Sequence, residues 1–334
     1  MLINNSFQQK DFTKVVSMQN LSSNEMIIAN EDLPRSVLHN INLEIMKGEV
    51  WGISGRSVLE TKLLLEIMAN IKPYKNGKCV LLERGMMRLK RFILPHVFYI
   101  GTTSMIYNNM NVLEFLMFAT GHKTFDVIRQ QDRVFEQLIS LGLGNVSLTP
   151  ISTLTPEYKV LILLLTAYYS TSQLIVLNMQ NLEFSDEHII PIRNISNLIQ
   201  NEDKTLVFSS FDSDMIESVC THTAVLVDGT VAYSGDIRNF CKTYDRVVLT
   251  VRYHNPEELM SVLQNQLPQF NYSVGAGNSL IIKDYKSDNP NLHLIYKKIA
   301  EAGFTPERII INRKNYKNAC EEVIRRYDLQ KQLL

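Results

Sequence analysis

The stretch from Gly48 to Gly77, GEVWGISGRSVLETKLLLEIMANIKPYKNG, constrains the fold of this chain more than any other. Residues 50–54 form a short apolar run with the length of a buried strand. Gly55 opens a turn. Over residues 61–70, Leu63, Leu64, Ile67 and Met68 recur at helical spacing. Pro73, Asn76 and Gly77 then supply stop signals for that helix.

A strand, a glycine turn and a helix in this order form the setting of a phosphate-binding P-loop. Such a loop reads G-x-x-x-x-G-K-[ST]. Its second glycine lets backbone N–H groups close on phosphate, its lysine neutralises charge, and its hydroxyl holds Mg²⁺. Counted from Gly55, the second glycine falls on Glu60, the lysine on Thr61 and the hydroxyl on Lys62. The frame is kept while the chemistry is replaced, and a glutamate facing a triphosphate repels it.

With 334 residues the chain is long enough for a large core and two domains. Its formal net charge is zero, so no strong field draws it to nucleic acid or anionic lipid. Cys79, Cys220, Cys241 and Cys320 have no metal spacing and read as reduced thiols. The polar start, MLINNSFQQKDF, does not read as a signal peptide, and none is expected. The longest apolar run, near residues 160–169, suits a buried helix rather than a membrane span. Any membrane connection is therefore expected to go through a partner.

Residues 1–12 read as a loose tail. Strands are expected at 15–21, 26–29 and 37–45, the last from its period-two alternation. Further strands are expected at 78–82 and 97–100, and helices at 112–118, 125–141 and 157–169. The continuous apolar run at 174–177 is the pattern of a central parallel strand. A helix at 186–200, a strand at 205–209 and a helix at 212–220 follow. Strands at 224–227 and 231–234 are joined by Asp228-Gly229, a hairpin turn. This alternation predicts an α/β fold with a parallel sheet. From residue 245 the order becomes β-α-β-β-α-β, the ferredoxin-like motif of a small α+β domain. The expected division is 1–12 tail, 13–244 first domain and 245–334 second domain.

Four segments in register resemble one family. VLHNINLEIMKGEVWGISG is similar to its opening strand and turn. NNMNVLEFLMFA is similar to the segment after its glutamine loop. ISTLTPEYKVLILLLTAYYSTSQLIVL is similar to its signature helix and Walker B strand. TLVFSSFDSDMIESVCTHTAVLVDGTVAYSGD is similar to its switch region and closing hairpin. Residues 13–240 thus resemble the ATP-binding cassette (nucleotide-binding) subunits of ABC transporters. The resemblance implies a P-loop NTPase-like cassette with a mixed sheet and a helical subdomain.

The family's functional positions map one by one. Its Walker A lysine falls on Thr61 and its sensor glutamine on Thr102. Its signature, Leu-Ser-Gly-Gly-Gln, reads Leu154, Thr155, Pro156, Glu157 and Tyr158. Pro156 lacks an N–H, and Glu157 adds like charge where backbone should approach phosphate. The Walker B acids fall on Asn178 and Met179, which can neither hold Mg²⁺ by charge nor polarise a water. The switch histidine falls on Phe211. No aromatic residue lies between Val15 and Val50 to stack on adenine. With all six functions replaced together, no catalytic residue, metal ligand or cofactor is expected. Arg56 and Lys62 stand near the loop as partial substitutes, in which case ATP and Mg²⁺ return as ligands.

Other candidates have simpler readings. Cys220 and His222 mark a helix end rather than a metal pair. Asp212 caps the next helix. Ser209 and Ser210 have no histidine partner nearby in sequence. Tyr107, Met110, Val112, Phe115 and Phe118 form an apolar stripe that is either core or a docking groove. The resemblance favours docking of a permease helix there, chiefly on Tyr107, Met110 and Phe115. The expected role is a catalytically degenerate cassette that docks on a membrane permease and pairs with a second cassette as homo- or heterodimer. That places it at the cytoplasmic face of the cell membrane, with no nucleic-acid partner. Two alternatives remain open: a cassette that still binds and slowly hydrolyses ATP, and a soluble regulator built on the cassette fold.

Overall fold

Continuous apolar strands followed by helices produce a parallel sheet in the computed structural model of the chain. The structure describes residues 13–27, 34–85, 94–101, 109–120, 127–179, 182–286 and 291–332. Contacts divide it into two units, Met1–Ser234 and Gly235–Leu334.

The strands of the first unit are β1 Lys14–Ser23, β2 Met26–Ile27, β3 Arg35–Ser36, β4 Ile41–Met46, β5 Val50–Gly55, β6 Tyr74–Leu81, β7 Arg84–Gly85, β8 Val97–Ile100, β9 Leu174–Asn178, β10 Thr205–Ser209, β11 His222–Val227 and β12 Thr230–Asp236. Its helices are α1 Val58–Met68, α2 Val112–Thr120, α3 Val127–Ser140, α4 Pro156–Tyr169, α5 Asp186–Asn201 and α6 Ser213–Val219. The main sheet runs β12-β11-β5-β10-β9-β8. From β11 to β8 every pairing is parallel, as the helical crossovers require. A second sheet, β4-β1-β6-β7, is antiparallel. The two share one core in which Trp51, Ile53, Leu64, Leu65, Ile67 and Met68 are at most 3% exposed. Each such side chain contributes about 1.5–3 kcal/mol of burial.

Several boundaries differ from the sequence reading. Helix α1 starts at Val58, three residues early, because Ser57 adopts an extended backbone and its side chain accepts from the Glu60 N–H. It ends at Met68, followed by Asn70 at φ 60°. Gly77 is not a helix stop. It lies inside β6 at φ +90°, where a Cβ would stand 2.4 Å from the Asn20 oxygen. It therefore permits the register shift between β1 and β6. The alternating strand expected from residue 37 begins at Ile41, since Asn40 turns the chain at φ 54°. Of the strand expected at 26–29, Met26–Ile27 forms and pairs with Arg35–Ser36, and the rest lies outside the described residues.

The second unit contains α7 Ile237–Tyr244, β13 Val247–Arg252, α8 Pro256–Gln266, β14 Asn271–Gly275, β15 Ser279–Lys283, α9 Leu292–Glu301, β16 Arg308–Ile311 and α10 Tyr316–Gln332. Its sheet order, β14-β15-β13-β16, is antiparallel throughout. This is the split β-α-β arrangement expected from the element order. The contact division falls at residue 234 rather than 244. Helix α7 belongs to the second unit because the Phe240 ring packs at a tilt against Tyr316 of α10, with centroids 5.3 Å apart. The buried Asp245 accepts from the N–H groups of Val247 and Asn315 and from the side-chain amides of Asn312 and Asn318. Among the described residues no helix is long and apolar enough to cross a membrane.

Candidate functional site

In an open parallel sheet, ligands meet the chain at the carboxyl ends of the strands. Here that edge carries Gly55 of β5, Asn178 of β9 and Ser209 of β10. Ile53, Ser209 and Asn178 lie side by side in register. The candidates at residues 55–62, 178, 179 and 211 stand at or just beyond the ends of these strands.

Gly55 is fixed by packing, since a Cβ there would lie 2.5 Å from the Leu226 oxygen of the adjoining β11. Arg56 is exposed. Residues 58–60, which form the open cradle in a P-loop, are wound into the first turn of α1. Thr61 is fully buried. Its hydroxyl donates back to the Ser57 and Val58 carbonyls at 3.1 and 3.2 Å. Lys62 lies half exposed on the helix surface, 3.9 Å from Glu66 one turn on. The carboxylate of Glu60 is turned inward and only 7% of the residue is exposed.

Asn178 and Met179 are tied to β10. The Ser209 hydroxyl donates to Asn178 Oδ1 at 3.0 Å, and the Met179 N–H donates to the Ser209 carbonyl at 3.1 Å. Met179 is buried at 1% exposure. Phe211 is 46% exposed beside Asp212, which caps α6 by accepting from the N–H groups of Asp214 and Met215. Leu154 is buried. Thr155 and Pro156 start α4, with Thr155 at φ −67° and ψ 160°, and Glu157 sits in its first turn. Tyr158 packs edge-on against the ring of His188 in α5, at 4.7 Å.

Of the stripe assigned to docking, Phe115 is 6% exposed and belongs to the core. Its side chain is not offered to a partner, and among the described residues of the stripe Phe118 is the exposed one, at 59%. Met110 is half-buried, and its carbonyl accepts from Ile151 N at 3.0 Å. Thr102 and Tyr107 lie outside the described residues.

The structure adds four residues that the sequence reading did not assign to the site: Arg35, His39, Asp228 and Gly229. Leu226 pairs with Gly55, so the β11–β12 turn at Asp228-Gly229 sits on the same edge as the loop after β5. The Glu60 carboxyl accepts the Gly229 N–H. Burial raises the Glu60 pKa above the ordinary carboxyl range and Asp228 adds to this, while the Gly229 bond, Arg35 and Arg56 pull the other way. Burial likewise lowers the His39 pKa, and Arg35 reinforces that effect. A readable signal for these residues was the Asp-Gly turn, once β11 is recognised as the neighbour of β5.

This donor set does not match a triphosphate. The backbone cradle is wound shut, a buried carboxyl faces inward at its end, and the lysine points away along α1. Nor, among the described residues, is any group of three or more His, Cys, Asp or Glu placed to hold a metal ion. Burial pushes the Cys79 thiol up to about 12 and that of Cys220 well above its usual value, so neither is a reactive thiolate.

No protein-family model matches the chain. Over 219 residues it is 22% identical to an uncharacterised ABC transporter ATP-binding protein of Methanocaldococcus jannaschii, across 62% of this chain and 75% of that one. It is 18% identical to the lantibiotic transport ATP-binding protein SrtF of Streptococcus pyogenes, across 70% of this chain and 92% of that one. Among solved structures, CbiO1 of Clostridium perfringens, described as part of the ABC transporter complex CbiONQ, aligns with TM-score 0.54 and 15% identity. That alignment covers 77% of this chain and 96% of CbiO1.

Proposed function

We propose that this chain, whose fold is that of an ATP-binding cassette and whose sequence resembles ABC transporter ATP-binding subunits, is a cassette subunit with an altered nucleotide site. Its work is structural. It docks on a membrane permease at the cytoplasmic face and pairs with a second cassette, the same chain or another. The observation that carries this reading is the state of residues 55–62. The strand and helix of a P-loop frame are kept and well packed, while the cradle is wound into α1 and ends in the buried Glu60.

Chemistry supports the same reading. Phosphoryl transfer depends on placed cations and N–H donors around the transferred group. Thr61, Asn178, Met179 and Pro156 carry no charged side chain in the positions where the resemblance implies lysine, acids and signature glycines. The second unit, a compact β-α-β-β-α-β body, is assigned to pairing.

Melting the purified full chain with and without Mg-ATP tests the proposal. A ligand bound to the native state stabilises it by about 2.7 kcal/mol at a hundredfold excess over Kd. The expected result is no shift in Tm at millimolar Mg-ATP. A rise that requires Mg²⁺ sinks the reading and restores a nucleotide-binding cassette. Recovery of a polytopic membrane protein with the tagged chain from solubilised membranes supports the docking role. Its absence favours a soluble regulator.

A further inference from the structure

Three distant segments meet at Gly229. Its N–H donates to the Glu60 carboxyl at the start of α1. Its carbonyl accepts the His39 N–H at 2.9 Å. No side chain fits there, because a Cβ would stand 2.1 Å from the Val37 oxygen, and φ is +78°. The turn is gripped from both sides, and Glu60 is one of the two grips.

The grip is incompletely satisfied. Glu60 is more than nine-tenths buried, yet its Oε2 has no hydrogen-bond partner. Arg35 Nε and His39 Nδ1 beside it are also buried without one. Leaving a buried polar atom unpaired is unfavourable, so folds seldom keep one without a use. An acid in a helix's first turn also interacts well with the N-terminal end of the helix dipole. A phosphate in a P-loop exploits that same end of the helix.

We propose that Glu60 is a built-in latch, its carboxyl standing where a ligand phosphate would sit and clasping the β11–β12 turn at Gly229. The clasp keeps residues 58–60 wound into α1 and closes that helix start to anions. The idea rests on reading residues 55–62 as an altered P-loop, and it adds an internal occupant to that reading. Glu60→Gly and Glu60→Ala remove the occupant. Glu60→Gln keeps its shape and can still accept from Gly229.

The test uses the full-length protein with inorganic pyrophosphate as probe. Pyrophosphate is expected to raise the Tm of the Gly and Ala variants and to leave wild type and Glu60→Gln unmoved. Amide exchange at Gly229 should quicken by about tenfold in the Gly and Ala variants, the loss of one hydrogen bond, and stay slow in Glu60→Gln. A wild-type Tm that rises as far as the Gly variant's overturns the latch. So does an unchanged Gly229 exchange rate, or a Gly and Ala pair that both ignore pyrophosphate. With wild type silent to Mg-ATP, such a failure removes the latch alone and leaves the cassette reading in place.

Discussion

Two glutamates, one in each unit, are buried to nearly the same depth: Glu60 is 7% exposed and Glu322 is 3% exposed. Their surroundings differ completely. Glu322 on α10 accepts from Arg325 at 2.7 and 2.9 Å, from Arg326 at 2.8 Å and from the Tyr285 hydroxyl at 2.9 Å. Burial alone would raise its pKa, but those bonds together bring it below the ordinary value. Glu60 has one backbone donor and an unpaired oxygen, and burial prevails. A buried acid with a complete set of partners rigidifies its surroundings, whereas a half-satisfied one keeps an uncompensated desolvation cost.

The largest effect should come from the complete network. Glu322→Ala leaves Tyr285 and two arginines without their acceptor and is expected to cost about 2 kcal/mol. The figure stays modest because Arg325 and Arg326 are 47% and 39% exposed and can turn to water. Arg326 also lies over the Tyr244 ring, 5.2 Å from its centroid, so the loss should loosen α7 from α10. Calorimetry of wild type and variant measures it. An unchanged melting profile would place Glu322 among ordinary surface acids.

A smaller effect, of opposite sign in pH, is expected at Glu60. Its folded pKa is raised, so the native state holds the proton more tightly than the unfolded chain. Stability then falls as pH rises from the ordinary carboxyl range through the raised value. Glu60→Gln removes this slope, and the variant should gain on wild type across that window and hold a constant difference above it. Glu322 behaves the other way. Its lowered pKa gives stability that is present above the ordinary range and is lost as pH falls through the folded value. Urea midpoints followed by Trp51, the single tryptophan and a buried residue of the first unit, resolve the Glu60 term. A difference that does not change with pH would show that Glu60 titrates as a solvated acid.

How far the sequence could be read follows from the range of each interaction. The parallel core was legible because Leu174–Asn178 and Val50–Gly55 are apolar nearly throughout, and a strand buried on both faces needs that locally. The β-α-β-β-α-β order of the second unit was legible for the same reason, its periods being local. The start of α1 was misread although Ser57 and Glu60 have cap spacing, because the P-loop frame gave Glu60 another meaning. Phe115 was ambiguous, since an apolar stripe has the same spacing whether it faces core or partner. The contact of Glu60 with Gly229 was hidden by its sequence distance. It depends on β11 lying beside β5, which pattern alone does not specify. Arg35 and His39 were hidden likewise, because the alternation read at 37–45 says nothing of what approaches it from the β11–β12 turn.

The smallest effect expected is none at all. Replacing Glu60 by Gly, Thr61 by Lys and Lys62 by Ser together rewrites the cradle in P-loop form. The latch predicts that phosphate groups then bind. Turnover should still stay at background in a phosphate-release assay with Mg-ATP, because the far wall of the site is unchanged. Met179 is an apolar side chain buried at 1% exposure, with its N–H committed to Ser209, so it offers no base to an attacking water. Asn178 is neutral and already accepts from Ser209. Phe211 presents a ring where the resemblance implies an imidazole, and Pro156 has no N–H to give. Binding without turnover in this triple variant would separate the two roles of the edge, with Glu60 controlling entry and the β9 and β10 ends controlling chemistry. Mg²⁺-dependent phosphate release would show instead that the cradle alone had been limiting, and residues 60–62 together would then be the barrier to an active cassette.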